Sequence, residues 1–166
     1  MIIVLTQCFP PRVGGIENLI ENLSIELSKK YEVLVLADQH NKSGDHEYDS
    51  KVNKNITVKR FGGIKFIRRQ KKIFNLKKYL ETKNITCIFG DSWKSFELCI
   101  DTLNKKSIYS ICLAHGNEII PKNSAYKKRL ITTLNKVSHI VCNSNYTKDL
   151  VIRTGITNQY ITCIHP

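Results

Sequence analysis

The sequence contains no uninterrupted run of about 18 apolar residues, the length that a membrane-spanning helix requires. Its first residues, MIIVLTQCFPP, lack the basic segment and the cleavage site of a secretory signal peptide, so we expect a cytoplasmic location. It also lacks internal repeats and low-complexity tracts, which argues against a solenoid or a disordered chain. With 166 residues, of which 42% are hydrophobic, we expect a single domain over residues 1–166 with one core.

The cysteines lack the spacing of a metal site or a disulfide framework. The sequence has six cysteines but no CxxC pair and no Cys/His cluster. Four of them, Cys87, Cys112, Cys142 and Cys163, lie inside apolar runs, where a free thiol packs as a small hydrophobic side chain. We therefore predict buried, reduced thiols. The five histidines are scattered, so no metal and no cofactor are predicted.

Acidic residues are scarce in one segment, which makes the charge uneven. Residues 59–83 contain ten Lys or Arg against the single acid Glu81, and they supply +9 of the net charge of +12. Such a focused positive field favours anionic partners: a phospholipid surface, a phosphorylated substrate or a nucleic acid. The segment has no recognised nucleic-acid motif and no series of aromatic stacking residues, so no nucleic acid is expected. A polyanion-binding module stays as an alternative.

Short apolar runs alternate with helical patterns along the chain. The runs predict strands at 2–6, 31–37, 55–61, 85–90, 107–114, 138–143 and 159–165, and the patterns predict helices near 15–30, 70–82, 93–104, 124–136 and 144–154. Several strands are apolar at successive positions, which is typical of strands covered on both faces. This alternation predicts a Rossmann-like α/β fold, a doubly wound and mostly parallel sheet flanked by helices. The polar stretch 38–54 predicts a mobile loop.

In such folds, ligands bind beyond the carboxyl ends of the strands. The first such loop, QCFPPRVGG, contains Arg12, whose guanidinium suits a phosphate, and the pair Gly14-Gly15 before a helix N-terminus. Its spacing matches neither GxGxxG nor GxxxxGK[ST], so the dinucleotide and P-loop motifs do not apply. The alternative is a plain strand–helix turn in which the glycines serve packing.

Three further loops follow strand ends. In AHGNE, His115 can exchange a proton with a hydroxyl, Gly116 leaves space for a ligand, and Glu118 can bind sugar hydroxyls. The alternatives are a structural hydrogen-bonding role for His115 and a cap of the next turn by Glu118. In GDSW, Asp91 and Trp93 are the carboxylate and ring face of a carbohydrate subsite; the alternative is a helix cap with Trp93 packed in the core.

The third loop, NSNYT, first predicts a helix that starts from Ser144 as N-cap and ends at Gly155. Ser144 and Tyr146 are second-rank acceptor-binding candidates.

Together these loops resemble a known family. The opening FPPRVGGIENLIENLSIELSKKYEVLVLA, the AHGNE loop and VSHIVCNSNYTKDLVIRTGITNQYITCIHP resemble, in this order, the N-terminal half of retaining glycosyltransferases of family four, which have the GT-B fold. The resemblance implies a nucleotide-sugar as donor substrate, with Arg12, Gly14 and Gly15 beside the donor phosphates and His115 near the reacting sugar. It also implies a glycan or lipid-linked acceptor and a role in cell-envelope polysaccharide synthesis.

The sequence departs from the family in length. By resemblance, a C-terminal domain binds the donor, and the chain stops before it, so we expect a donor domain in cis or in trans and no activity of the chain alone. A partner subunit of a split transferase is the alternative.

The basic segment also predicts a membrane-facing surface. On a helix, Phe66, Ile73, Leu76 and Leu80 share one face, which we expect to pack on the sheet. Ile67 and Phe74 fall on another side, flanked by Lys71 and Lys78, as in an interfacial helix on an anionic leaflet. On this interpretation we expect the protein to attach peripherally to the inner face of the cell membrane. The alternative is a solvated basic face with Phe74 beneath a loop.

Overall fold

The structure, a computed structural model that describes residues 1–165, contains seven strands. Their bounds are Ile2–Leu5 (β1), Val33–Asp38 (β2), Ile56–Phe61 (β3), Cys87–Gly90 (β4), Tyr109–Ala114 (β5), His139–Cys142 (β6) and Ile161–Cys163 (β7). They form one sheet in the order β3-β2-β1-β4-β5-β6-β7. The pairs β1–β2, β2–β3, β5–β6 and β6–β7 are parallel. The predicted Rossmann-like α/β fold and all seven strands are therefore confirmed.

Helices connect these strands. Their bounds are Gly15–Ser28 (α1), Lys42–Asp49 (α2), Lys65–Thr82 (α3), Trp93–Phe96 (α4), Ile100–Lys105 (α5), Gly116–Ile119 (α6), Ser124–Leu134 (α7) and Asn145–Arg153 (α8). The single helix predicted at 93–104 is two short helices, α4 and α5. No helix within residues 1–165 combines the length and the apolar character needed to cross a membrane. The chain forms two compact units, residues 1–88 and the part from residue 89 onward.

In the first unit, helices α1 and α3 pack against β2 and β3. Strand β1 and most of β2 are completely buried, as their successive apolar residues predict. From α3, Ile73, Leu76 and Leu80 enter this core as expected. Each such side chain contributes about 1.5–3 kcal/mol relative to an exposed position. The apolar stripe of α3 thus holds the helix on the sheet.

Phe66 does not share that buried position, which corrects the sequence prediction. Its side chain is 69% exposed, whereas Lys72 on the same helix is buried. On the helical wheel Phe66 lies about 20° from the buried Ile73, so its direction agrees with the prediction, but it is the second residue of α3, about two turns before Ile73. This end of the helix is open to solvent on that side.

The stretch 38–54 is not a mobile loop, because it contains helix α2. Asp45 is buried, and its carboxylate accepts hydrogen bonds from the backbone N–H groups of His40 (2.8 Å) and Asn41 (3.2 Å). The buried Arg60 guanidinium makes two hydrogen bonds to Asp49, at 2.8 and 2.7 Å, and lies 3.4 Å from Asp45. An arginine on β3 thus orders a helix whose sequence is almost entirely polar.

In the second unit, α8 begins and ends where the sequence predicts. The Ser144 hydroxyl accepts a hydrogen bond from the backbone N–H of Thr147 at 3.1 Å, which is the predicted N-cap. Gly155 follows the helix with a φ of 95°, a left-handed conformation that glycine adopts without strain. Leu130 of α7 and Val151 of α8 are fully buried. Helix α8 packs against β6 and β7, and α7 packs against α4.

The cysteines are free thiols in this structure. Cys112 and Cys142 are buried, whereas Cys87 and Cys163 are half-buried. Burial raises the pKa of Cys87 and of Cys142 to about 11, and that of Cys112 well above its ordinary value. These thiols are therefore protonated near neutral pH and serve the packing of the strands.

Candidate functional site

The glycine-containing loop of the first unit holds an ion pair at the start of α1. Arg12 Nε lies 2.9 Å from Glu17 Oε1, and the Glu17 side chain is buried whereas that of Arg12 is 51% exposed. A Cβ on Gly14 would overlap the Glu17 carboxylate, while a Cβ on Gly15 would meet no atom within 4 Å. Gly14 is thus required for the close approach of Glu17, and Gly15 borders open space. Their predicted role beside donor phosphates stays a prediction.

A second cluster lies in the second unit, where Asp91 follows β4 and His115 follows β5. Asp91 is buried and accepts a hydrogen bond from Ser95 Oγ at 2.6 Å. The backbone N–H of His115 donates to Glu118 Oε1 at 3.4 Å, and Ser92 donates to the same carboxyl group. The GDSW and AHGNE loops therefore bring an imidazole and two carboxyl groups together, as the positions at strand ends predict.

In this histidine–carboxylate cluster, burial favours the uncharged forms of His115 and Glu118. Burial, followed by the charge of Asp91, raises the pKa of Glu118 well above its usual range. Burial lowers the pKa of His115, and Asp91 opposes that shift in part. The His115 Nε2 atom is buried and has no hydrogen-bond partner among residues 1–165. A neutral imidazole thus keeps one ring nitrogen available for a ligand.

Trp93 does not provide the exposed ring face that was predicted for a carbohydrate subsite. Its side chain is fully buried, and the indole N–H donates to the Glu118 carbonyl and to the Tyr126 hydroxyl, both at 3.3 Å. The Tyr126 ring meets it edge-on at 5.0 Å between centroids. Neither face of the indole ring is free to stack on a sugar. The alternative prediction, in which Trp93 packs in the core, is therefore correct. Its contacts hold the backbone of Glu118 in place.

The remaining acceptor-binding candidates also lie in the second unit. A Cβ on Gly116 would stand 3.7 Å from the Tyr146 ring, and Tyr146 is 68% exposed. Gly116 and Tyr146 are therefore neighbours beside an open surface. Ser144 caps α8, and its hydroxyl also lies 3.0 Å from Thr147 Oγ1. The acceptor-binding roles of these residues stay predictions.

Sequence reasoning missed two groups. Tyr126 supports Glu118 by donating to its carbonyl at 2.7 Å, and no local pattern marks this tyrosine. In the first unit, Arg68 and Lys72 of α3 reach Asp38 at the end of β2. Their spacing of four residues places them on one helix face, a signal that the surrounding basic residues obscured. No cluster of three or more potential metal ligands occurs within residues 1–165.

A sheet in this order, flanked by helices and with polar side chains at its strand ends, defines a Rossmann-like α/β domain. The profile of Glycosyltransferase Family 4 matches residues 13–166, and the chain belongs to this family. The resemblance inferred from the loops is thereby confirmed. No curated protein matches the sequence.

Solved structures share the fold at low sequence identity. Anabaena Alr3699/HepE in complex with UDP is 16% identical with a TM-score of 0.68, and the alignment covers 99% of this chain and 43% of that one. The lipopolysaccharide outer core galactosyltransferase WaaB is 16% identical, with a TM-score of 0.64 and coverages of 99% and 45%. Sucrose-phosphate synthase from Thermosynechococcus elongatus is 11% identical, with a TM-score of 0.76 and coverages of 99% and 47%. The chain thus spans less than half the length of these structures.

Proposed function

We propose that this chain is the acceptor-binding half of a retaining hexosyltransferase in cell-envelope polysaccharide synthesis. The enzyme moves a sugar from a nucleotide-sugar to a glycan or lipid-linked acceptor, and a second domain, in cis or in trans, binds the donor. Membership of Glycosyltransferase Family 4 supports the reaction class. The similar HepE structures hold UDP and UDP-glucose, which supports a nucleotide-sugar donor. The coverage of less than half of each similar structure supports the division into two domains.

The observation that carries this proposal is the buried, unpartnered Nε2 atom of His115. A buried polar atom without a hydrogen bond costs about 1–3 kcal/mol, and a ligand hydroxyl that bonds to it removes that cost. Because burial lowers the pKa of His115, the imidazole is neutral near pH 7 and can accept or donate one proton at Nε2. These properties suit a group that holds a hydroxyl of the reacting sugar or of the acceptor.

The neighbouring residues position this imidazole. Glu118 accepts the backbone N–H of His115, and its own backbone carbonyl is held by Trp93 and Tyr126. The raised pKa of Glu118 keeps a carboxylic proton available, so that the group can donate to a sugar oxygen. Asp91 supplies a buried carboxylate beside both groups. The cluster thus offers both donors and acceptors to hydroxyl-rich substrates.

The test is the release of UDP from UDP-glucose and UDP-galactose by the full-length protein together with its donor domain. The substitution His115→Ala is expected to lower the rate at least about 100-fold, as for loss of a positioned proton-transfer group. The matched control is His46→Ala, since His46 is exposed on α2. A His115→Ala rate within twofold of the unmodified protein would contradict the proposal.

We further propose that the outward face of α3 rests on an anionic membrane surface. This face exposes Ile67 and Phe74, which are 45% and 72% exposed, and Phe66 at the start of the helix is 69% exposed. Phe74 is therefore not covered by a loop. Lys71 and Lys78 are exposed beside these side chains. Apolar side chains between lysines enter the lipid interface while each cation adds about 1 kcal/mol on an anionic leaflet.

Flotation with vesicles of phosphatidylglycerol and phosphatidylcholine tests this membrane proposal. The unmodified chain is expected to float with the anionic vesicles, and Lys71→Glu plus Lys78→Glu is expected to abolish flotation. The double variant Lys105→Glu plus Lys127→Glu changes the net charge equally at exposed positions of the second unit and is expected to float. If both double variants lost flotation equally, net charge alone would account for membrane binding. That result would contradict a specific binding surface on α3.

A further inference from the structure

A polar cavity opens at the carboxyl ends of β1 and β2 in the first unit. Its volume is about 210 Å³, and the side chains used below are Gln7, Arg12, Asp38, Gln39, His40 and Arg68. Two guanidinium groups, an imidazole and two amides supply hydrogen-bond donors, and Asp38 supplies the only carboxylate of this set. None of these residues has a role in the function proposed above. Arg12 was predicted beside the donor phosphates, and the inference below assigns it to the acceptor instead.

The charge of Asp38 is already neutralised within the protein. Lys72 Nζ lies 2.6 Å from Asp38 Oδ1 and also donates to the Thr6 carbonyl, and Arg68 Nε lies 2.8 Å from Asp38 Oδ2. Two cations thus face one carboxylate, and the Arg12–Glu17 pair is neutral in sum. The surroundings of the cavity therefore keep a net positive charge, which favours an anionic ligand.

Both arginines retain donors for such a ligand. Arg68 uses Nε toward Asp38 at 2.8 Å and donates a hydrogen bond from Nη1 to the Gly63 carbonyl at 3.2 Å. Its guanidinium carries further N–H donors and lines the cavity. Arg12 uses Nε toward Glu17, and its side chain is half-exposed. Guanidinium groups bind phosphate oxygens through two parallel N–H donors, which a lysine cannot do.

We propose that this cavity binds a phosphate or diphosphate group of the acceptor, with Arg12, Arg68 and His40 as its contacts. The inference rests on the proposed transferase function and names the chemical class of the acceptor. Its position also matters, because Ile67 precedes Arg68 directly on α3 and is exposed, as are Ile64 and Phe66. A charged pocket beside an apolar surface fits an acceptor whose phosphate carries a lipid chain.

The binding test uses isothermal titration calorimetry of the 166-residue chain with inorganic pyrophosphate. Arg68→Gln and Arg12→Gln are each expected to weaken binding at least tenfold. Lys77→Gln removes the same charge at an exposed position of α3 and is expected to stay within twofold. Because Arg68 pairs with Asp38 and Arg12 with the buried Glu17, the melting temperature of each variant is measured beside its affinity, and only a folded variant counts as a test of binding. Absence of pyrophosphate binding, or equal weakening by Lys77→Gln, would overturn the proposal.

A second measurement separates the acceptor from the donor diphosphate. In the full-length protein with its donor domain, pyrophosphate is titrated in the presence of saturating UDP. We expect pyrophosphate still to bind, with the same dependence on Arg68. Complete displacement by UDP would assign the cavity to the donor and overturn the acceptor role. No turnover is needed, so this failure is distinguishable from a failure of the His115→Ala test.

The source of the phosphate is distinguished by comparing inorganic pyrophosphate with farnesyl diphosphate below its micelle concentration. Binding of farnesyl diphosphate at least tenfold tighter supports a lipid-linked acceptor. Equal affinity for pyrophosphate and farnesyl diphosphate also supports the phosphate site. In that case the acceptor is a phosphorylated molecule without a lipid chain. Phe66→Ser is expected to remove the farnesyl advantage and to leave the affinity for inorganic pyrophosphate unchanged.

Discussion

Glu118 and His115 are one turn apart in the chain, and burial shifts their pKa values in opposite directions. For Glu118 the pKa is raised, so above the ordinary value of 4.5 the native state keeps a proton that the unfolded state releases. The free energy of unfolding therefore falls as the pH rises through this window. For His115 the pKa is lowered from 6.5, so the unfolded state binds a proton more readily and stability falls as the pH drops below that value.

We predict that Glu118→Gln changes this pH dependence. Glutamine keeps the shape of the side chain without a titrating proton, so the melting temperature of the variant relative to the unmodified chain is expected to rise between pH 5 and pH 8. Thermal unfolding followed by circular dichroism measures the difference. Glu81→Gln, at an exposed position of α3, is the control and is expected to show a constant difference. A constant difference for Glu118→Gln would contradict the role of this carboxyl group.

At the scale of elements, helix α2 depends on a residue outside it. Arg60 of β3 contacts Asp45 and Asp49 of α2 and also donates to the Pro10 carbonyl. Its side chain is 6% exposed, so these contacts are removed from water. One buried cation thus connects β3, α2 and the loop before α1.

We predict that Arg60→Met destabilises the chain by about 3–5 kcal/mol, because it leaves two carboxylates without their buried partner. The amides of residues 42–49 are expected to exchange hydrogen faster than in the unmodified chain. Chemical denaturation and hydrogen-exchange mass spectrometry measure the two effects. Lys51→Met breaks an exposed pair with Glu47 and is expected to leave the denaturation midpoint nearly unchanged, because solvent screens such a pair. Equal exchange in α2 for both variants would contradict the anchoring role of Arg60.

Helix α3 has two faces with different tasks. Ile73, Leu76 and Leu80 hold it on the sheet, and the opposite face exposes Phe74 and its neighbours. Between the two faces, Arg68 and Lys72 reach the end of β2. The same helix thus combines core packing, the proposed membrane surface and the proposed phosphate pocket. Both proposed roles draw on the excess of positive charge in residues 59–83.

At the scale of the whole molecule, the chain covers 43–47% of the length of the similar transferase structures described above. We predict that the 166-residue chain alone transfers no sugar from UDP-glucose or UDP-galactose, because the donor is held by a second domain. Addition of the donor domain, fused or as a separate chain, is expected to restore transfer. The measurement is the formation of radiolabelled product from the labelled donor. Measurable transfer by the chain alone would contradict this division.

The sequence by itself determined the strands, the fold class and both ends of α8. These features depend on local patterns, namely successive apolar residues in strands, Ser144 before a helix and Gly155 after it. The loops at strand ends could also be predicted, because parallel strands place their carboxyl ends at one edge of a sheet. For the same reason Asp91, His115 and Glu118 were expected beyond strand ends, although the sequence did not predict the contacts between them.

Only the tertiary structure decided which distant groups meet. Lys72 and Asp38 are 34 residues apart, and Arg60 and Pro10 are 50 apart, so no local pattern reveals either contact. For the same reason the sequence could not show that Trp93 is fully buried or that α2 is ordered. Burial of a charged or polar group is favourable only when a partner offsets its loss of hydration, and folding alone brings that partner into place.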